Sequence, residues 1–148
     1  MRFLPFLTVL SVFGLDRLTK RLAQSHLTYG EPMAVLPFFN LTYLENTGAA
    51  FGMGQDMNKF FIGLSIFILI VLFIFIFKTS EKTIKVQTAF ALVAAGALGN
   101  LYDRITHGSV IDFLDFYVGT HHWPAFNAAD ASICIGACLL AFMQWKTK

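Results

Sequence analysis

Long runs of apolar residues, broken by few charges, dominate the pattern of the chain. Three runs contain at most one charged residue each, and they cover residues 60–77, 86–103 and 125–145. A helix needs about 20 apolar residues to cross the roughly 30 Å of hydrocarbon in a bilayer. The runs therefore predict three membrane-spanning helices, and the last of them carries Asp130 close to its start.

The first apolar run is shorter, because residues 3–15 are followed directly by the polar segment DRLTKRL. Such a run behind a basic residue also fits a cleaved secretory leader, which would leave three spans. However, the segment after the run lacks the small residues of a leader cleavage site. We therefore expect a fourth span over residues 3–22, in a single integral-membrane domain over residues 1–148.

Lys and Arg are concentrated in the connections that four spans place on one side of the membrane. The short segments 1–2, 78–85 and 146–148 hold six of the 11 Lys and Arg residues. Short loops that are rich in Lys and Arg stay in the cytoplasm. We therefore predict that both termini are cytoplasmic and that the longer connections lie on the outer face.

The composition agrees with a membrane protein. The chain is 56% hydrophobic and 14% charged, whereas soluble domains carry about 25% charged residues. A net charge of +2 gives no reason to expect a nucleic acid as a partner. Cys134 and Cys138 lie four residues apart in one apolar run, so we expect packed free thiols rather than a disulfide.

The two outer connections have unusual sequences. The first covers residues 28–59, and within it Phe39–Asn46 is rich in aromatic and other β-favouring residues and partly alternates between apolar and polar positions. This pattern predicts short strands beside the membrane surface. The second connection, residues 106–124, contains VIDFLDFYVG together with Trp123. Its apolar and aromatic character predicts a segment that lies in the headgroup zone.

Polar residues gather at the outer ends of the predicted spans. They are Asp16, Lys20, Asn100, Asp103, Arg104, Asp112, Asn127 and Asp130. Ionisable residues at membrane depth indicate a functional site by default. Helical spacing predicts an ion pair between Asp16 and Lys20, which are four residues apart, and places Asn127 and Asp130 on one face. Asp103 and Arg104 are expected to form an orienting pair.

Five segments make the chain similar to the type II signal peptidases, the lipoprotein signal peptidases of bacteria. They are DRLTK, ENTGAAFG, GALGNLYDR, VIDFLDF and PAFNAADASI, in the order and spacing of that family. The resemblance implies an all-α membrane protein with four transmembrane helices, a small extracytoplasmic β-element and a short interfacial helix. It also implies a location in the bacterial inner membrane, with the active site near the outer face.

The resemblance further implies an aspartyl endopeptidase whose catalytic residues are Asp112 and Asp130. Its substrate would be a diacylglyceryl-modified prolipoprotein, cut just before the lipidated cysteine. Residues that bind substrate or orient the two aspartates would be Asn46, Gly48, Asn100, Arg104 and Asn127. Structural support would come from Asp16, Lys20 and Asp103.

The chemistry of two neighbouring aspartates follows from elementary electrostatics. Two adjacent carboxyl groups cannot both ionise easily, so they share a proton and titrate as a pair. The ionised member then acts as a general base on water, and the protonated member acts as an acid on the peptide. This reaction needs neither a metal nor another cofactor, and one chain suffices, so we expect a monomer. Membrane lipid is expected beside Phe113, Phe116 and Trp123.

A proton-coupled transporter is the main alternative, because buried carboxylates also serve transport. A transporter would normally place ionisable groups along the whole path across the membrane. Residues 64–77 and 136–145, which form inner halves of two predicted spans, contain no Asp, Glu, His, Lys or Arg. This distribution favours chemistry at the membrane surface. A structural membrane subunit is a third class, and it would tolerate conservative changes at the acidic residues.

Overall fold

The computed structural model describes residues 3–48, 54–80 and 83–145. These residues form four helices: α1 (Phe3–His26), α2 (Asn58–Lys78), α3 (Ile84–Thr106) and α4 (Ala128–Trp145). They also form four strands: β1 (Pro32–Leu36), β2 (Phe39–Asn46), β3 (Val110–Val118) and β4 (His121–His122). The chain is therefore mostly helical, with a small sheet built from the two long connections.

Each predicted span falls largely within one helix, although α4 begins three residues later than the apolar run that predicts it. Within the described part of the chain, α2, α3 and α4 are long and apolar enough to cross a membrane. The second half of α1 instead carries four charged residues, in DRLTKR. The fourth span and the domain boundaries therefore stay predictions.

Helix α3 is the centre of the bundle and packs against the other three helices. Its small residues make this possible, because a side chain at Gly99 would meet Asp16 of α1, and one at Gly96 would meet the Ala129 carbonyl of α4. Small residues let helix backbones approach closely where apolar packing is not driven by water. The result is that α1 and the start of α4 meet beside the last turns of α3.

The outer faces of the helices are apolar. On α2, for example, Phe67 is 64% exposed and Phe77 is 54% exposed, while Leu69, Leu72 and Ile76 are buried against α3. Large apolar surfaces of this kind are unfavourable in water. They are typical of helices whose outer side faces lipid.

The sheet has the order β1-β2-β3-β4, and all neighbouring strands are antiparallel. Strand β2 confirms the strands predicted at Phe39–Asn46. Residues 106–124, predicted as an interfacial segment, contain β3 and β4, and their backbone hydrogen bonds are satisfied because β3 pairs with β2 and β4 pairs with β3. The described ranges contain no helix shorter than 18 residues, so the expected short interfacial helix is not among them.

Candidate active site

Asp112 lies on β3, opposite Leu44 of β2, and only 3% of it is exposed. Each of its carboxylate oxygens accepts one amide hydrogen bond. Asn46 Nδ2 donates to Oδ2 at 3.2 Å, and Asn127 Nδ2 donates to Oδ1 at 2.7 Å. The side chain is therefore held between the sheet and the start of α4.

Asp130 is placed by the local folding of the sequence NAAD at the start of α4. The Asp130 backbone N–H donates to Asn127 Oδ1 at 2.9 Å, and the Asn127 N–H donates back to Asp130 Oδ2 at 3.2 Å. This reciprocal pair is a capping box, which satisfies two backbone donors that the first helical turn leaves open. The positive end of the helix dipole also favours a negative charge here.

Asn100 on α3 contacts Asp130 directly and is linked to Asp112 through Asn127. Its Nδ2 donates to Asp130 Oδ1 at 2.7 Å. Its Oδ1 accepts hydrogen bonds from Lys20 Nζ at 3.0 Å and from Asn127 Nδ2 at 3.2 Å. Since both ends of the Asn100 amide are engaged, the Asp130 carboxylate has a fixed donor on its α3 side.

Behind Asn100 lies a buried cluster of charges formed by Asp16, Arg17, Lys20 and Asp103. Lys20 Nζ lies 2.7 Å from Asp103 Oδ2 and 3.1 Å from Asp16 Oδ2. Arg17 bridges the same two carboxylates at 2.5 and 2.8 Å. Asp16 Oδ1 also accepts the backbone N–H of Ala129 at 3.1 Å. The cluster thereby fixes α1 and α3 to the first turn of α4.

Arg104 points away from this cluster. Its Nη2 donates to the Gly48 carbonyl at 2.7 Å, and its guanidinium lies over the Phe61 ring at 5.1 Å. The predicted pair between Asp103 and Arg104 is therefore wrong, because consecutive helical residues point about 100° apart. Among the residues that the structure describes, Arg104 Nε is buried without a hydrogen-bond partner.

Both aspartates line one cavity of about 510 Å³. The other polar residues that line it are Asn46, Gly48, Asn100 and Arg104. The remaining lining is mostly apolar and includes Trp123, Phe126 and Ile133. The cavity therefore brings two carboxyl groups, several hydrogen-bond donors and one cation to an apolar binding surface, which suits the hydrolysis of a peptide that is itself apolar.

Burial changes the acidity of Asp112. Removal from water, followed by the negative charge of Asp130, raises the pKa of Asp112 from 3.8 to about 7. Hydrogen bonds from Asn46 and Asn127 oppose this rise without cancelling it. A carboxyl group with such a pKa is present in both protonation states near neutral pH, as an acid–base catalyst needs. Across the three described ranges, no three His, Cys, Asp or Glu side chains cluster tightly enough to hold a metal ion.

Comparison with known proteins identifies the family. The profile described as Signal peptidase (SPase) II matches residues 8–146. This chain belongs to the signal peptidase II family. Its members are membrane proteases.

Relatives and solved structures of similar proteins agree with this assignment. The "Lipoprotein signal peptidase" of Yersinia pestis (strain Pestoides F) is 46% identical over 132 residues, which are 86% of this chain and 78% of the relative. The same holds for the protein of that name from Yersinia pseudotuberculosis serotype O:3 (strain YPIII). A solved bacterial membrane enzyme superimposes with a TM-score of 0.89 at 36% identity, covering 96% of this chain and 87% of the other.

The signal peptidase II fold brings together the residues that the sequence singled out. Asn46, Gly48, Asn100, Arg104, Asp112 and Asp130 share the cavity, and Asn127 holds both aspartates from behind. Asp16, Lys20 and Asp103 form the supporting cluster, to which Arg17 is an addition that the sequence analysis missed. Part of the segment ENTGAAFG, from Ala49 to Gly52, lies outside the described residues.

The three aromatic residues that were expected beside membrane lipid lie in different places around the site. Trp123 does line the cavity. Phe113 is 7% exposed and lies toward α1 on the other side of the sheet, while the Phe116 ring packs between Phe39 and Phe126. Side chains alternate between the two faces of a strand, so Asp112 and Phe113 cannot both face the same cavity.

Proposed function

We propose that this signal peptidase II is an aspartic endopeptidase that removes the signal peptide from diacylglyceryl-modified prolipoproteins. Cleavage falls just before the lipidated cysteine, and Asp112 and Asp130 are the catalytic pair. The observation that supports this proposal is the placement of two buried carboxyl groups in one cavity, each oriented by asparagine side chains. Membership of a peptidase family gives the transporter alternative no support.

The surroundings of the two aspartates suggest a role for each. Asp130 accepts the Asn127 backbone N–H and lies at the positive end of α4, so its ionised form is the better stabilised one. The raised pKa of Asp112 keeps a large fraction of it protonated near pH 7. Asp130 therefore serves as the base and Asp112 as the acid.

The reaction then proceeds in two steps with balanced protons. Asp130 takes a proton from water as the water oxygen attacks the scissile carbonyl carbon, and Asp112 gives its proton to the carbonyl oxygen. Asp130 next protonates the leaving amine as the C–N bond breaks. Asp112 recovers its proton from a hydroxyl group of the tetrahedral intermediate. The pair ends in its starting state, ready for another cycle.

Arg104 and Asn46 are placed to hold the substrate during this reaction. Arg104 lines the cavity and retains a donor that no described residue uses. Asn46 donates to Asp112 from the edge of the cavity. A peptide bound there in an extended form offers carbonyl oxygens that guanidinium and amide groups can bind. These contacts would position the scissile carbonyl between the two aspartates.

The membrane location fits the same substrate. The proposed arrangement has four spans, cytoplasmic termini, and the sheet and both aspartates at the outer face of the inner membrane. A diacylglyceryl group can then stay in the lipid beside the apolar helices while the peptide enters the cavity. One chain supplies both aspartates, so the proposed active form is a monomer.

A comparison of two precursors tests the substrate. We expect purified protein in detergent to cut a diacylglyceryl prolipoprotein at least about tenfold faster than the same precursor without lipid, because buried acyl chains contribute about 0.8 kcal/mol per CH₂. Cleavage is followed by gel shift, and the cut position by mass spectrometry. Equal rates on both precursors would contradict the lipid requirement, and a cut elsewhere would contradict the proposed position.

The raised pKa of Asp112 predicts a pH dependence. Because Asp112 must be protonated to donate, we expect kcat/KM to fall as the pH rises through about 7. In the folded chain Asp112 keeps its proton up to a pH of about 7, whereas an aspartate with the ordinary pKa of 3.8 releases it near that pH. The free energy of unfolding should therefore decrease as the pH rises across this window.

Rates from pH 5 to pH 9 and thermal unfolding from pH 4 to pH 8 test both effects. Asp112→Asn is the control for stability, since it should lack this part of the pH dependence. A rate that continues to rise above pH 8 would rule out Asp112 as the acid.

A further inference from the structure

A second cavity, of about 660 Å³, opens on the sheet side of Asp112. It lies against β2, β3 and β4 rather than among the helices. Asn46, Asp112 and the segment 123–125 line both this cavity and the catalytic one. The two cavities therefore meet at Asp112. This is what a peptidase requires, because the substrate segments before and after the scissile bond must both reach the catalytic residues.

The two cavities differ in chemistry. The catalytic cavity is mostly apolar, whereas the second is lined by several polar residues, including Thr42, Glu45, Gln55 and Asp115. The signal peptide is apolar and the mature lipoprotein chain is directed to water. Since the polypeptide must continue on both sides of the scissile bond, the polar cavity suits the portion that follows it.

The Asp115 carboxylate in the second cavity is held by three hydrogen bonds. Its Oδ2 accepts hydrogen bonds from Asn40 Nδ2 at 3.1 Å and Thr42 Oγ1 at 3.2 Å, and its Oδ1 accepts one from His122 Nδ1 at 2.7 Å. Burial raises the pKa of Asp115, but the hydrogen bonds from His122 and Asn40 outweigh burial and hold it below its ordinary value. Asp115 is therefore a fixed negative charge at neutral pH.

No lysine or arginine is among the described residues that line this cavity, and its ionisable groups are Glu45, Asp112, Asp115 and His122. Three of these four are carboxyl groups. Because the acidic groups outnumber the one basic group, the local potential is negative. A cationic side chain would be attracted into the cavity, and an anionic one would be repelled.

We propose that this second cavity binds the first residues of the mature lipoprotein, directly after the lipidated cysteine, and that Asp115 makes it prefer a cationic over an anionic side chain there. The inference rests on the proposed function, because it assigns the two sides of the same substrate to two cavities. Asp115 acts in it as a specificity-determining residue and takes no part in the proton transfers.

A set of three lipidated precursors tests this preference. They differ only in the residue after the cysteine, which is Lys, Gln or Glu. We expect the wild type to cut the Lys precursor about threefold to tenfold faster than the Glu precursor in kcat/KM, with Gln between them, as for a partly exposed ion pair. The difference should shrink at high salt.

Two variants move the preference in opposite directions. Asp115→Asn should remove most of the difference in kcat/KM between the Lys and Glu precursors, both measured relative to the Gln precursor. His122→Gln leaves Asp115 without a titratable partner and should enlarge the difference. Glu31→Gln removes an equal charge that does not line the cavity and should leave the preference unchanged.

The outcomes separate this inference from the proposed function. Cleavage of all three precursors at equal rates by the wild type would overturn the second cavity as a selective site but not the peptidase activity. The same holds if Asp115→Asn, shown to be folded by thermal unfolding, keeps the full preference. Failure to cut even the Gln precursor would instead overturn the proposed function.

Discussion

Asp112→Asn and Asp130→Asn will each lower kcat/KM for a lipidated prolipoprotein by at least roughly 10³-fold, within the range for loss of a positioned acid or base. Asparagine has nearly the same shape as aspartate but can neither accept a proton from water nor donate one to the carbonyl oxygen. At position 112 it still accepts one of the two amide hydrogen bonds. At position 130 its amide nitrogen must face either the Asn100 donor or the Asn127 N–H, and this contact between two donors is unfavourable.

The loss of activity must be separated from loss of the fold. Thermal unfolding in detergent should show that both variants remain folded, with a loss of about 1–3 kcal/mol for the one buried donor that each exchange leaves unsatisfied. Asp56→Asn is a matched control, because Asp56 is exposed, outside both cavities, and has φ 65°, which asparagine tolerates. Wild-type rates in Asp112→Asn or Asp130→Asn would remove that residue from the catalytic pair.

Lys20→Met will destabilise the protein by about 3–5 kcal/mol, the usual result of removing one partner from a buried ion pair. Lys20 is 1% exposed and contacts both Asp16 and Asp103. Without it, Arg17 is the one Lys or Arg residue, among those that the structure describes, that still pairs with both carboxylates. Asn100 also loses one of the two donors to its Oδ1, so cleavage should weaken as well, through the orientation of Asp130.

Denaturant unfolding measures the first effect, and the double variant Lys20→Met with Asp103→Asn gives a sharper comparison. Removing both charges leaves less uncompensated charge in the interior, so the double variant should be less destabilised than the sum of the two single changes. Lys59→Met, on an exposed position of α2, is the control and should change stability by less than about 0.5 kcal/mol. A Lys20→Met variant as stable as the wild type would show that the cluster does not support the fold.

Most of the contacts and elements that could be predicted from the sequence depend on the spacing of residues within one segment. Residues four apart on a helix share a face, and Asp16 and Lys20 do pair. Residues three apart at a helix start can form a capping box, and Asn127 and Asp130 do. The apolar runs likewise located the helices, because apolar length is a property of the segment itself. The catalytic roles of Asp112 and Asp130 came from the resemblance rather than from spacing.

Contacts between distant segments could not be read in the same way. The bridge from Arg17 to Asp103 joins residues 86 positions apart, and only the packing of α1 on α3 determines it. The face of β3 that carries Asp112 depends on its register with β2, and a shift of one residue would turn Phe113 toward the cavity instead. The sequence did contain a signal for Arg17. Asp16 and Asp103 carry two negative charges, and Lys20 balances only one of them.

The capping role of Asp130 also bears on how the enzyme is made. Its carboxylate is in place only when the first turn of α4 has formed, when Asn100 of α3 reaches it, and when Asp16 of α1 holds the Ala129 N–H. Under the proposed function, a newly inserted chain would therefore gain its catalytic pair only once these three helices have assembled.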